Sequence, residues 1–323
     1  MMRSVYSKVL AVCLLVLSTG AGAAEWVPTK PIRLLVPYAP GGTTDLIARI
    51  VAAPLGKELG QQIVVDNRGG GGGVIAMTAV ARAQPDGYTI GMPALGAHAS
   101  NETLLKVPYN SDKDFQPITF VGQSALVLVV SASNPAQSVE RLLAPGRDGG
   151  KTITFASGGI GLAAHIAGEL VKLQSKAAMT HVPYKGGGPA MADLMGGQVD
   201  MLFVPIGSAL PLIQGGKLKA LAVAGKARSP KLAGVATMEE SGFPGFVMAE
   251  TFAVLGPSGL RPEVVRRLHD TVASVIQQPE VVKRADAAGV ELSSSTPQQL
   301  RDYIGGEVKK YRDVITRANI KVE

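Results

Sequence analysis

Four times in this chain a glycine-rich turn follows an apolar, strand-like run and opens a helical pattern. The turns are Pro40-Gly41-Gly42-Thr43-Thr44-Asp45, Gly69 to Gly73, Ser157-Gly158-Gly159-Ile160-Gly161 and Gly186-Gly187-Gly188-Pro189. Glycine lets backbone N–H groups approach a ligand with no side chain between, and a helix start adds unpaired donors and partial positive charge. Such a junction can hold a carboxylate or phosphate. Several of them on one cleft would hold an anion without any buried lysine or arginine. Taken singly, a glycine run more often serves a tight turn. The uninterrupted Gly69–Gly73 run reads as that kind of turn.

Other chemistries find little support. Gly159-Ile160-Gly161-Leu162-Ala163-Ala164 has the loose dinucleotide form G-x-G-x-x-A, but Met179-Thr180-His181 stand where the ribose-binding acid is required. The chain has no complete G-x-x-x-x-G-K-[ST] loop, no G-x-S-x-G elbow and no closely spaced His/Glu metal motif. His98, His165, His181 and His269 are dispersed, so neither a metal nor another cofactor is expected. His165, near a helix start, could touch a ligand, although a structural hydrogen bond is the simpler role. A hydrolase would need a nucleophile and a base within hydrogen-bond reach, and no such set is recognisable.

The elements that must carry these turns alternate in type. Short β-prone runs at 32–37, 63–66, 88–92, 118–121, 126–131, 153–156, 180–182, 201–204, 218–223 and 246–255 are separated by helical patterns, as in α/β folds with crossover helices. Val265, Leu268, Val272, Val275 and Ile276 share one helix face, and Leu300, Ile304, Tyr311, Val314 and Ile315 share another. The last helix has a clear start: Thr296 as N-cap, Pro297 at the first position and Gln299 completing a capping box. The first helix, from about Asp45, should kink or restart at Pro54, which removes a donor and presses on the Ile50 carbonyl. The apolar stretches around 121–130 and 246–255 are candidate crossings between lobes. They divide the chain into a discontinuous lobe, 25–124 with 251–323, and an inserted lobe, 125–250, with a ligand cleft between them.

The amino terminus indicates the compartment. Arg3 and Lys8 precede an uncharged apolar run from Val9 to Leu17, then small residues up to Ala24. This is a signal-peptide layout over 1–24, with Ala21-Gly22-Ala23 or Gly22-Ala23-Ala24 at the cleavage site and the periplasm as destination. The sole cysteine, Cys13, lies within it, which removes disulfides and thiolate chemistry from the mature chain. The formal charge of +7 would fall by two with the loss of Arg3 and Lys8. The remaining basic residues are scattered, without the dense stripe that binds nucleic acid.

In family order, the chain carries Lys30-Pro31-Ile32-Arg33 before Val36-Pro37-Tyr38-Ala39-Pro40-Gly41-Gly42-Thr43-Thr44-Asp45, then Val65-Asp66-Asn67-Arg68 and Pro85-Asp86-Gly87-Tyr88-Thr89. His181-Val182-Pro183-Tyr184-Lys185-Gly186, Leu194-Met195-Gly196-Gly197-Gln198-Val199-Asp200 and Ser208-Ala209-Leu210-Pro211 follow. This series resembles the Bug, or TctC-like, substrate-binding receptors of tripartite tricarboxylate transporters. The resemblance implies a type II periplasmic-binding-protein fold: two lobes that close on a small carboxylate, working as a monomer with the transporter's membrane subunits or with a sensor protein. It implies ligand contacts from Tyr38, Gly41, Gly42, Thr43 and Asp45, the last better suited to capping the helix start than to meeting a carboxylate. From the other lobe it points to Ser157, Gly158, Gly161, Tyr184, Lys185 and Gly186, with Pro205 in the Val204-Pro205-Ile206-Gly207 stretch; Phe252, near the second crossing, could pack on a weakly polar ligand body. Ile160, Leu162 and that stretch depart from the family's more polar pattern. An aromatic or otherwise weakly polar carboxylate is therefore expected, rather than citrate.

Overall fold

The computed structural model describes residues 25–147 and 149–322. The expected signal peptide, 1–24, lies outside the described residues. Strand β1 (Ile32–Val36), helix α1 (Thr43–Leu59), β2 (Ile63–Asn67), α2 (Val74–Ala81), β3 (Thr89–Gly91) and α3 (Leu95–Leu104) lead to the long strand β4 (Phe115–Ser131). Then come α4 (Val139–Arg147), β5 (Ile153–Ser157), α5 (Ala163–Ser175), β6 (Met179–Pro183), α6 (Gly187–Met195), β7 (Met201–Pro205), α7 (Ile206–Gln214) and β8 (Leu218–Val223). Strand β9 (Ala249–Pro257), α8 (Pro262–Val275), α9 (Pro279–Ala287), β10 (Glu291–Leu292) and α10 (Pro297–Arg317) complete the order.

The strands form one curled mixed sheet in the order β2-β1-β3-β9-β4-β7-β5-β6, with β8 and β10 also paired to β4. The protein is thus α/β, as the alternation of patterns implies. Strand β4 holds the two halves together. Up to Ala125 it pairs antiparallel with β9, and from Leu126 onward with β7. The runs expected as separate strands at 118–121 and 126–131 are one continuous strand, because Gly122, Gln123, Ser124 and Ala125 keep their ladder to β9. The register is irregular next to Pro117, which has no N–H to give, yet the strand continues through it.

Helix α1 runs through Pro54 without restarting. Ile47, Ile50, Val51, Leu55 and Leu59 are all buried in the core that packs on β1 and β9, so packing along the helix outweighs the lost donor. Helix α10 joins both halves. Leu300 and Ile304 pack with Leu35, Phe115 and Leu255, whereas Tyr311, Val314 and Ile315 pack with Leu128, Phe155 and Phe203. The halves also touch at Gly207 and Gly289, where a Cβ on Gly207 would fall 2.1 Å from the Ala288 carbonyl oxygen. Nearby, Lys231 Nζ lies 2.8 Å from the Asp286 carboxylate.

Candidate ligand-binding cleft

A cleft of about 540 Å³ opens where the two halves meet. Five helices begin on it. Tyr38 to Thr44 lead into α1, Ala94 to Ala97 into α3, Gly158 and Leu162 to Ala164 into α5, Gly187 and Gly188 open α6, and Pro205 and Ser208 sit at the start of α7. None of the five has a side-chain cap, the N-cap residues being Gly42, Ala94, Leu162, Gly186 and Pro205. No side chain therefore caps their first-turn N–H groups, and the positive ends of five helix dipoles meet at this cleft. Among the described residues, no lysine, arginine or histidine lines the cleft. Leu126, Leu162, Met191, Phe203, Val204 and Leu212 make much of its wall apolar.

Of the residues named from the sequence, Tyr38, Gly41, Gly42, Thr43, Gly158 and Pro205 line this cleft. Asp45 does not. Its carboxylate accepts from the Gly41 N–H at 2.9 Å and from Arg49 Nε at 2.9 Å. Burial alone would raise its pKa, but these donors outweigh burial and hold it below the ordinary aspartate value. Asp45 thus fixes the loop in which Gly41 sits at φ +91°, a conformation that favours glycine. Tyr184 is also committed, its hydroxyl donating to Asp193 Oδ2 at 2.6 Å. Lys185 is exposed and lies off the cleft lining. Gly186 serves as the N-cap of α6 and donates its N–H to the Gly158 carbonyl at 2.9 Å. Phe252 is 0% exposed, bridges to Ala94 and belongs to the core, so it offers no surface to a ligand.

Ser157 and Gly161 act one layer back. The Ser157 hydroxyl lies 2.7 Å from His181 Nε2, and the Gly161 N–H donates to His165 Nδ1 at 3.0 Å. The two imidazoles stack with centroids 3.7 Å apart. Burial, reinforced by His165, lowers the His181 pKa to about 3, so the ring is neutral under ordinary conditions. A serine beside a neutral histidine is the pairing a hydrolase uses. Here Ser157 is 0% exposed and its hydroxyl is also within 3.0 Å of the Gly159 carbonyl. The pair anchors the loop and offers no nucleophile to the cleft. His98 is likewise buried, its pKa lowered to about 4 by that burial.

A second hollow, of about 460 Å³, is lined by Lys30, Arg33, Arg68 and Asp86 among others. Its cations are already paired, Arg33 and Arg68 with Asp66 and Lys30 with Asp86, which leaves little charge for an anion. Among the described residues no group of three His, Cys, Asp or Glu side chains could hold a metal ion. No described helix is long and apolar enough to cross a membrane.

Residues 47–320 match the model of the tripartite tricarboxylate transporter family receptor, TctC. The chain belongs to this family. It is 35% identical to the protein BugT of Bordetella pertussis over 303 residues, 93% of each chain. Among solved structures it resembles the periplasmic binding protein BugD, with a TM-score of 0.80, 32% identity and coverage of 92% of this chain and 100% of that one. It also resembles the R. palustris protein Rpa4515 with adipate, with a TM-score of 0.83, 32% identity and coverage of 91% and 99%. The TctC family is one of solute-binding receptors, and the curled α/β sheet is the fold of these relatives.

This TctC-family chain has cleft residues that the sequence motifs did not reveal. The α3 start contributes Ala94, Gly96 and Ala97 without a glycine run to mark it, and Met191 and Leu212 come from helix interiors. Glu250 of β9 also lines the cleft, the one charge in the apolar run from Phe246 to Leu255. That isolation was the signal available, since an unpaired glutamate is seldom placed in such a run. Burial raises the Glu250 pKa to about 7, and burial together with the Glu250 charge raises that of the Tyr38 phenol.

Proposed function

We propose that this protein is an extracytoplasmic receptor, exported by a cleaved signal peptide, that captures a small carboxylate and delivers it to the membrane subunits of a tripartite tricarboxylate transporter. The observation that carries this reading is the convergence of five uncapped helix starts on one cleft that, among the described residues, no cationic side chain lines. Such a site binds an anion through backbone donors and dipoles. Membership of the receptor family and the adipate bound to Rpa4515 support the same ligand class.

The proposed contacts are the α1 loop, through Tyr38, Gly41, Gly42 and Thr43, and the second half, through Gly158 and Pro205. The lobes would be 25–124 with 251–323, and 125–250, hinged where β4 exchanges β9 for β7. A ligand that touches both lobes favours the closed form by its differential affinity, and a membrane partner reads the closed surface. The apolar wall favours a ligand body less polar than citrate, because polar groups set against Leu126, Leu162 and Phe203 would lose their water partners.

Thermal melts of the mature chain against aromatic, dicarboxylic and tricarboxylic acids test this reading. A true ligand at 100 times its dissociation constant stabilises the native state by about 2.7 kcal/mol. A selective shift with one class names the ligand type. No shift with any acid, in protein first unfolded and refolded to strip carried-over ligand, would refute the carboxylate assignment. Turnover of chromogenic esters would revive the hydrolase alternative.

A further inference from the structure

Among the described residues, the cleft holds one ionisable carboxyl, Glu250, and no cation to match it. Glu250 lies on β9 in register with Ser124, one residue from the point where β4 changes partner, so it sits on the crossing strand itself. It is deep in the molecule yet keeps some accessible surface, and that surface opens on the cleft it lines. Among the described residues no backbone or side-chain donor lies within hydrogen-bond distance of its carboxylate, and it makes no ion pair. The phenols of Tyr38, on the α1 loop, and Tyr311, on α10, are the titratable side chains whose pKa its charge moves, and burial raises both. Beyond Tyr311, Glu307 adds further negative charge and pairs with Lys310. The cation in this set, Lys310, is taken up by Glu307, and among the described residues none is seen acting on Glu250 itself.

A protein does not ordinarily keep an unpaired carboxyl in a desolvated position, because its charged form costs several kcal/mol without a partner. The partner must then arrive with the ligand. A second ligand carboxylate would meet like charge unless Glu250 first took up a proton, and a purely apolar tail would leave its oxygens unpaired. A protonated amine satisfies both the charge and the hydrogen bonds.

We infer that Glu250 determines selectivity by accepting a protonated amine, so that the preferred ligand is an amino acid whose carboxylate faces the helix starts and whose ammonium faces β9. This rests on the carboxylate reading above and narrows it. The zwitterion as a whole is neutral, which suits a cleft walled mostly by apolar side chains. Because burial holds the Glu250 pKa near 7, binding of the amine draws it into its ionised form and releases a proton.

The test is calorimetric titration with matched pairs: phenylalanine against 3-phenylpropanoate, leucine against 4-methylpentanoate, and 4-(aminomethyl)benzoate against 4-methylbenzoate and terephthalate. At least one amino compound should bind the unmutated protein about 30-fold or more tightly than its amine-free partner, and Glu250→Gln should abolish that preference. The unmutated protein supplies an independent readout. Affinity for the amino compound should fall about tenfold or more between pH 7.5 and pH 5.5, while that for the amine-free acid does not fall. Equal or tighter binding of the amine-free or dicarboxylic acids, or an amine preference that survives in Glu250→Gln, would overturn the assignment and leave the carboxylate reading intact. Binding of 4-methylbenzylamine that depends on Glu250, with no carboxylate requirement, would uphold Glu250 and refute the carboxylate reading. Failure of every compound would refute both.

Discussion

Helices α10 and α6 both begin with exposed backbone donors, and they dispose of them in opposite ways. At α10, Thr296 Oγ1 accepts from the Gln299 N–H at 3.1 Å, the Gln299 side chain accepts from the Thr296 N–H at 2.9 Å, and Pro297 has no N–H to satisfy. At α6 the N-cap is Gly186, which has no side chain to offer, and Gly187 and Gly188 follow with open space within 4 Å of where a Cβ would stand. One start is closed internally and contributes to stability; the other is left unsatisfied beside the cleft. The difference separates what a helix start does for the fold from what it can do for a ligand.

The strongest way to break this contrast is to fill the α6 start. Gly187→Val places a side chain in open space over the first turn, so ligand affinity should fall about 100-fold, equivalent to about 2.7 kcal/mol. Melting of the ligand-stripped protein should stay within about 2 °C of the parent. Calorimetric titration beside a thermal melt reads both effects, and an unchanged affinity would remove α6 from the site.

Asp45 tests the intermediate case, a helix start on the cleft whose first-turn carboxylate holds the preceding loop without capping the helix. Asp45→Ala should cost about 1–2 kcal/mol of stability, discounted because Arg49 is half exposed. Since the folded pKa of Asp45 is lowered, its contribution is present above the ordinary aspartate value of about 3.9 and is lost as pH falls through the lower folded value. Denaturant unfolding of parent and variant should therefore differ near pH 6 and converge as pH falls through the lowered folded value. A constant difference across that range would show that the charge has no part in holding the loop.

The smallest effect belongs to the closed start. Thr296→Ala removes the cap and should cost about 1 kcal/mol, visible in denaturant melts, with ligand affinity unchanged within twofold. A large loss of affinity would mean that α10, which packs on both halves, couples its own start to the cleft.

The same contrast explains what could be read before the structure. The α10 start was legible because its whole mechanism lies within Thr296, Pro297 and Gln299. The strands were legible from short β-branched runs, and the α1, α5 and α6 junctions from their glycines. What escaped depends on contacts distant in sequence. Gly122 and its neighbours look like a break until β9 pairs with them. Pro54 looks like a helix breaker until Val51, Leu55 and Leu59 are seen packed along one face. Phe252 looked available beside the crossing, yet the bridge to Ala94 places it in the core, whereas Glu250 opens on the cleft.

The position of β9 has a consequence for how the chain reaches this state. Strands β3 and β4 are successive in sequence, but β9 stands between them in the sheet. Gly91 must wait for Leu255, and Gln123 for Thr251, before either finds its neighbour. Closing such distant pairings carries a loop-entropy cost before any contact repays it, which slows folding. The first half therefore cannot complete its sheet until the chain through Pro257 has been made. A partly synthesised molecule stays open and unfinished, which is the condition in which an unfolded chain can still be threaded through a narrow passage.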